Sequence, residues 1–64
     1  MKTVAEHTDR ARLEILAEQY RFEAATCREM AEEASSQELR EGWLKLAGQY
    51  AMLADEAEDQ LRRH

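Results

Sequence analysis

Apolar residues recur along this chain at alternating steps of four and three. One series runs Leu13, Ala17, Tyr20, Ala24, Cys27, Ala31 and Ala34. A second runs Leu39, Trp43, Leu46, Tyr50, Leu53 and Ala57, followed by Leu61 one further step of four on. Each residue turns an α-helix by about 100°, so this spacing keeps one side of a helix apolar. The pattern predicts two amphipathic helices, one over about 5–34 and one over about 36–62. Ser35-Ser36-Gln37-Glu38 separates them. Ser35 is placed to cap the second helix, with Glu38 three residues later to close a capping box. Thr3-Val4-Ala5-Glu6 and Thr8-Asp9 offer start signals for the first helix.

A connection of about two residues, at 35–36, makes the helices antiparallel neighbours. The expected fold is therefore all-α, one domain over 1–64 built as an antiparallel two-helix hairpin. Folding at Ser36 sets Ala34 against Leu39, Ala31 against Trp43, Cys27 against Leu46, Ala24 against Tyr50 and Tyr20 against Leu53. Small residues of the first helix then face large ones of the second, which is how a core interdigitates. The two series, from Leu13 to Ala31 and from Leu39 to Ala57, are the expected hairpin core.

Several apolar residues fall outside those series. Leu16 and Met30 widen the stripe of the first helix on one flank. Ile15 and Phe22, seven apart, sit nearly opposite it, with Ala11 above them. Leu44, Ala47, Ala51 and Ala54 widen the second stripe. A lone hairpin would leave Ile15, Phe22 and Leu44 wet, and grouped apolar surface of this kind marks contact sites. The expected contact surface is Ile15, Leu16, Phe22, Met30, Leu44 and Ala51. The simplest partner is the chain itself, as a homodimer forming a four-helix bundle. In this register the spare residues lie on opposite flanks of the two helices, which suits a larger helical oligomer.

The two halves also share a motif. Leu16 to Ala24 and Leu46 to Ala54 both read LAxQYxxxA, thirty positions apart, and Arg10 and Arg40 keep the same offset. The repeat implies two similar helices and no particular chemistry.

Charge supports the antiparallel arrangement. It brings Asp55, Glu56, Glu58 and Asp59 near Arg10 and Arg12, and Glu29, Glu32 and Glu33 near Arg40 and Lys45. Each exposed pair contributes only about 0–1 kcal/mol, so these charges choose an orientation more than they stabilise it. Arg62, Arg63 and His64 suit the negative end of the second helix dipole, whereas Glu32 and Glu33 oppose that of the first.

Composition narrows the classes. A chain of 64 residues buries only about 60% of its unfolded surface and usually needs a metal, disulfides or a partner. Cys27 is the single cysteine, so no disulfide forms within the chain, and a lone thiol fits the cytoplasm. No secretory leader or membrane-spanning run is expected. The net charge of −5 disfavours nucleic acid and anionic membrane as partners. There is no proline, and the two glycines, Gly42 and Gly48, fall inside the second helix. They read as points of close helix approach, each costing about 1 kcal/mol against alanine.

Candidate chemistry is thin. A carboxylate-bridged metal site in a bundle needs Glu-x-x-His facing inward, and no glutamate here has a histidine three residues on. Cys27 and Met30 are soft ligands on one face, but two such ligands read more naturally as core fillers. No base lies within helical reach of Cys27 to make it a nucleophile. Tyr20, Trp43 and Tyr50 read as packing residues. No phosphate loop or catalytic motif is present. The expectation is a non-enzymatic interaction or structural module with no cofactor. Two alternatives stay open: a small acidic inhibitor or nucleic-acid mimic, and a metal- or redox-binding bundle using Cys27, Met30 and carboxylates.

The order Arg10-Ala11-Arg12, LAxQYR from Leu16, Ala31-Glu32-Glu33-Ala34-Ser35-Ser36, then Leu39-Arg40, Trp43-Leu44, Leu46-Ala47, Tyr50, Leu53-Ala54 and Ala57-Glu58 resembles a group of short alphaproteobacterial helical-hairpin proteins with a repeated LAxxYxxLA-type motif. The resemblance covers roughly residues 10–58, mostly packing positions. The chain departs from it at Glu23, where such proteins carry an apolar residue, and at a turn without Asp-Pro. It implies a soluble bacterial hairpin of unassigned function and no catalytic residue.

Overall fold

In a computed structural model, the chain is described from Lys2 to Arg63, with side chains from Asp9 to Arg63. Helix α1 spans Lys2–Glu33 and helix α2 spans Gln37–Arg63, with no strand among the described residues. The fold is the expected helical hairpin. Its helix α1 begins ahead of both start signals, whose residues Thr3, Glu6 and Thr8 have side chains outside the described residues, as does His64.

Ala34, Ser35 and Ser36 make the turn. The cap is Ser36, not Ser35: the Leu39 N–H donates to Ser36 Oγ at 3.1 Å. That bond occupies one of the four backbone donors a helix start leaves unpaired. With Leu39 in the third helical position, Glu38 has no place in a reciprocal capping box. The nearest glutamate that does engage is Glu41, just past the first turn, which accepts from the Gln37 side-chain amide at 3.1 Å. The Ala34 N–H closes the end of α1 on the Ala31 carbonyl at 3.3 Å. No described residue has a positive φ, so this turn works without glycine.

The helices lie antiparallel along one another in a rod of 53 × 15 × 11 Å. Its radius of gyration is 15.2 Å, against about 10.7 Å for a compact domain of this length. Two layers of one helix each enclose little. Among the described residues the buried ones are Ala17, Ala24, Cys27 and Ala31 of α1 and Ala47, Ala54 and Ala57 of α2.

The α1 series of the sequence reading is therefore the face that α1 buries or half-buries. On α2 the seam is turned. Leu39 and Leu53, expected in the core, are 53% and 39% exposed. Ala47 and Ala54, expected only to widen the stripe, are 4% and 0% exposed. Trp43, Leu46, Tyr50 and Leu61 are half-buried beside them. The reason is steric. With alanine on both helices the backbones approach closely, and leucine fits beside the contact line, not between the helices. Both helices bury alanines here, where small against large was expected.

The glycines are also placed differently from expectation. Gly42 and Gly48 are exposed, and a methyl group at either would meet nothing within 4 Å. The close approach comes from the alanines, and each glycine only loosens α2. Gly42→Ala and Gly48→Ala should each stabilise the protein by about 0.5–1 kcal/mol, read by thermal or urea unfolding. A loss of stability in either would place that glycine against a neighbour. Ser36→Ala should cost about 1 kcal/mol, while Ser35→Ala should leave the midpoint nearly unchanged.

Candidate functional site

Helical geometry gives the hairpin two broad faces. Residues two apart on a helix differ by about 200°, so a pair flanking the seam points to opposite sides of it. One side is fixed by Arg21. Its Nε donates to Glu58 Oε2 at 2.9 Å, a second guanidinium nitrogen donates to Glu58 Oε1, and Asp55 lies 3.6 Å away. Glu14, Ala17, Arg21, Glu58 and Leu61 line one depression on this side. Arg28, Glu32, Arg40 and Leu44 line another. This is a charged face.

The two-residue rule puts Leu16, Glu23, Met30, Leu46 and Leu53 on the other face, because Glu14, Arg21, Arg28, Leu44 and Asp55 occupy the charged one. Tyr20 and Tyr50 stack in its middle, with ring centroids 6.2 Å apart and planes at 29°. Both rings are half-buried. Gln19, Glu23 and Tyr50 line the depression beside them, which extends to Ile15 and Phe22 on the outer edge of α1. The two tyrosines hold equivalent places in the LAxQYxxxA repeat, so the stack marks the centre of an approximate twofold relation between α1 and α2.

The expected contact residues do not share one face. Ile15 and Phe22 are 56% and 70% exposed on the outer edge. Met30 and half-buried Leu16 lie on the tyrosine face. Leu44, 49% exposed, lies on the charged face, where half-buried Ala51 also falls. Met52 was not singled out from the sequence and is 64% exposed. It is the repeat equivalent of Phe22, and the offset of thirty was the signal for it.

The ion pairs differ from expectation in their partners. The acidic run of α2 is met by Arg21, not by Arg10 and Arg12. Side chains lean toward the start of their own helix, so Arg21 and Glu58 lean toward each other across the antiparallel contact. Arg10 instead donates to the Leu61 carbonyl at 3.3 Å, one of the last-turn acceptors a helix leaves unpaired. Arg62 and Arg63 pair with Asp59 at 3.2 and 3.0 Å within α2. Among the described residues, no ion pair joins Glu29, Glu32 or Glu33 to Arg40 or Lys45.

Cys27 is a free thiol, 3% exposed in the seam, while Met30 is 39% exposed. Among the described residues no group of three or more His, Cys, Asp or Glu side chains is arranged to hold a metal ion. No described helix is long and apolar enough to cross a membrane. The chain matches no family model, no curated protein and no solved structure.

The Arg21 hydrogen bond holds the Glu58 carboxyl below the usual carboxylate range, helped by the charges of Arg21 and Arg62 and opposed by partial loss of water. A carboxylate with a depressed folded pKa stabilises the fold fully above its unfolded value, about 4.3 for glutamate, and stops doing so as pH falls through the folded value. The Glu58 carboxyl should thus titrate below the ordinary glutamate value by NMR, and Arg21→Gln should raise its midpoint. Between neutral and acid pH the variant should lose less melting temperature than the wild type. Added salt should shrink the difference, since the pair is exposed.

Proposed function

We propose that the chain is a non-enzymatic, self-associating helical hairpin, a protein–protein interaction or structural module that works as a homo-oligomer in the bacterial cytoplasm. One observation carries the reading. Among the described residues the hairpin buries six alanines and a cysteine and no large side chain, while Ile15, Phe22, Met30, Leu39, Leu44, Met52 and Leu53 stand at least 39% exposed. Alanine burial returns little against the backbone entropy of an ordered chain, about 1–2 kcal/mol per residue. A helical rod with its large apolar groups outside is half of a core, and another surface completes it. The resemblance to short alphaproteobacterial hairpin proteins is in keeping with this reading.

The charge distribution argues for this reading over an acidic mimic. The net charge is −5, but arginines and carboxylates alternate on the charged face, which presents no continuous acidic surface to a basic groove. A metal or redox role would rest on Cys27 and Met30, of which the first lies inside the seam and the second outside it.

Sedimentation equilibrium should give a mass above that of one chain, and the melting temperature should rise with protein concentration, as mass action requires. A monomer at high micromolar concentration with a concentration-independent melting temperature would falsify the assembly.

A further inference from the structure

The geometry points to the tyrosine face as the surface on which a second copy of this chain sits, face to face, with the charged faces turned to water. The proposal rests on the self-association argued above and adds to it the face, the central residues and the orientation of charge.

Three observations select the face and the occupant. The first is area. The chain exposes 5238 Å², whereas a compact monomer of its mass exposes about 4,250 Å². The excess of about 1,000 Å² is close to the ~800 Å² that each partner contributes to a standard interface. The rod therefore has surface enough for one standard contact between copies.

The second is the distribution of side chains about the seam. Leu16, Tyr20, Met30, Leu46, Tyr50 and Leu53 tip to one side. The other side carries the Arg21–Glu58–Asp55 cluster, Glu14, Arg28 and Arg40. Covering the charged side would strip water from ion pairs that contribute little, at a desolvation cost that often exceeds the attraction. Covering the tyrosine side takes Leu16, Met30, Leu46 and Leu53 from water without desolvating any of the described ion pairs.

The third is self-similarity. An isologous contact needs a surface complementary to itself. The repeat supplies one: Leu16 and Leu46, Gln19 and Gln49, and Tyr20 and Tyr50 are thirty-residue equivalents. They lie on one face, about a stack of the two rings 6.2 Å apart. A face made of two near-copies of one motif is equally matched to a second copy of the chain in either sense.

Three charged residues depart from the pattern: Asp9 and Arg12 line a depression with Leu13 and Leu16, and the third makes the proposal testable by a gain. Glu23 lines the tyrosine face, and its equivalent in the second half is Leu53. A carboxylate there opposes association, because it must lose water on contact.

The experiment is sedimentation equilibrium on the full chain and four variants at residues that are exposed in the hairpin. Glu23→Leu should tighten self-association about tenfold or more, the scale of burying a leucine side chain; a variant that merely misfolds cannot produce that gain. The double change Met30→Glu and Leu53→Glu should yield monomer. Leu44→Glu on the charged face and Met52→Glu on the outer edge should keep the wild-type mass. If Leu44→Glu or Met52→Glu dissociates the oligomer while Met30→Glu with Leu53→Glu leaves it intact, the face is wrong and self-association stands. An unchanged or weaker Glu23→Leu oligomer also overturns the face. A wild-type chain that stays monomeric overturns both.

Discussion

Alanine packed against alanine is the contact on which the rest of this molecule depends. Ala24 and Ala54 are 1% and 0% exposed, whereas the large side chains of the same stripes, Leu13, Tyr20, Trp43 and Tyr50, are only half-buried. Every large side chain must then go beside the seam or to the far side of its helix. Dispersion and close fit hold the helices together, and the apolar area that would stabilise an ordinary domain is left outside. A hairpin built this way is well ordered along its contact and poor in core. The same choice that makes the two helices fit makes them insufficient.

Much of the fold is legible in the sequence, because an uninterrupted stretch of strong helix formers with one serine-rich break allows few arrangements. The α1 seam follows directly from its three-and-four spacing. The α2 seam does not, because two interleaved series exist there. Leu39, Leu46 and Leu53 score as more hydrophobic than Ala47 and Ala54, so a search for the greasiest stripe settles on leucine. The repeat resolves the ambiguity. Moving the α1 positions Leu13, Ala17, Tyr20, Ala24 and Cys27 forward by thirty gives Trp43, Ala47, Tyr50, Ala54 and Ala57, the seam that α2 presents. Hydrophobicity alone misleads wherever helices pack through small residues, since size and not transfer free energy decides what fits.

The electrostatic details were less accessible. Arg21 was not singled out because a level-by-level pairing sets it opposite Met52, three residues from Asp55 and six from Glu58. Only the lean of side chains along each helix brings Arg21 and Glu58 together. The cap moved from Ser35 to Ser36 for a similarly local reason: two adjacent serines offer the same chemistry, and the backbone selects one. The candidate surface was half legible. Exposed apolar residues were identifiable as surplus, but which side of the seam each falls on required the true rotation of α2.

Cys27 makes the seam observable. Its thiol is 3% exposed and sits among alanines, so a modifying reagent reaches it only when the two helices part. Alkylation of this one atom is therefore a clock for hairpin opening. With a single cysteine in the chain, the clock needs no engineered label. A second surface laid over the rod would slow it without touching the sulfur, because opening the seam would first require undocking. The least conspicuous side chain in the molecule thus reports on how often a two-helix protein briefly becomes two separate helices.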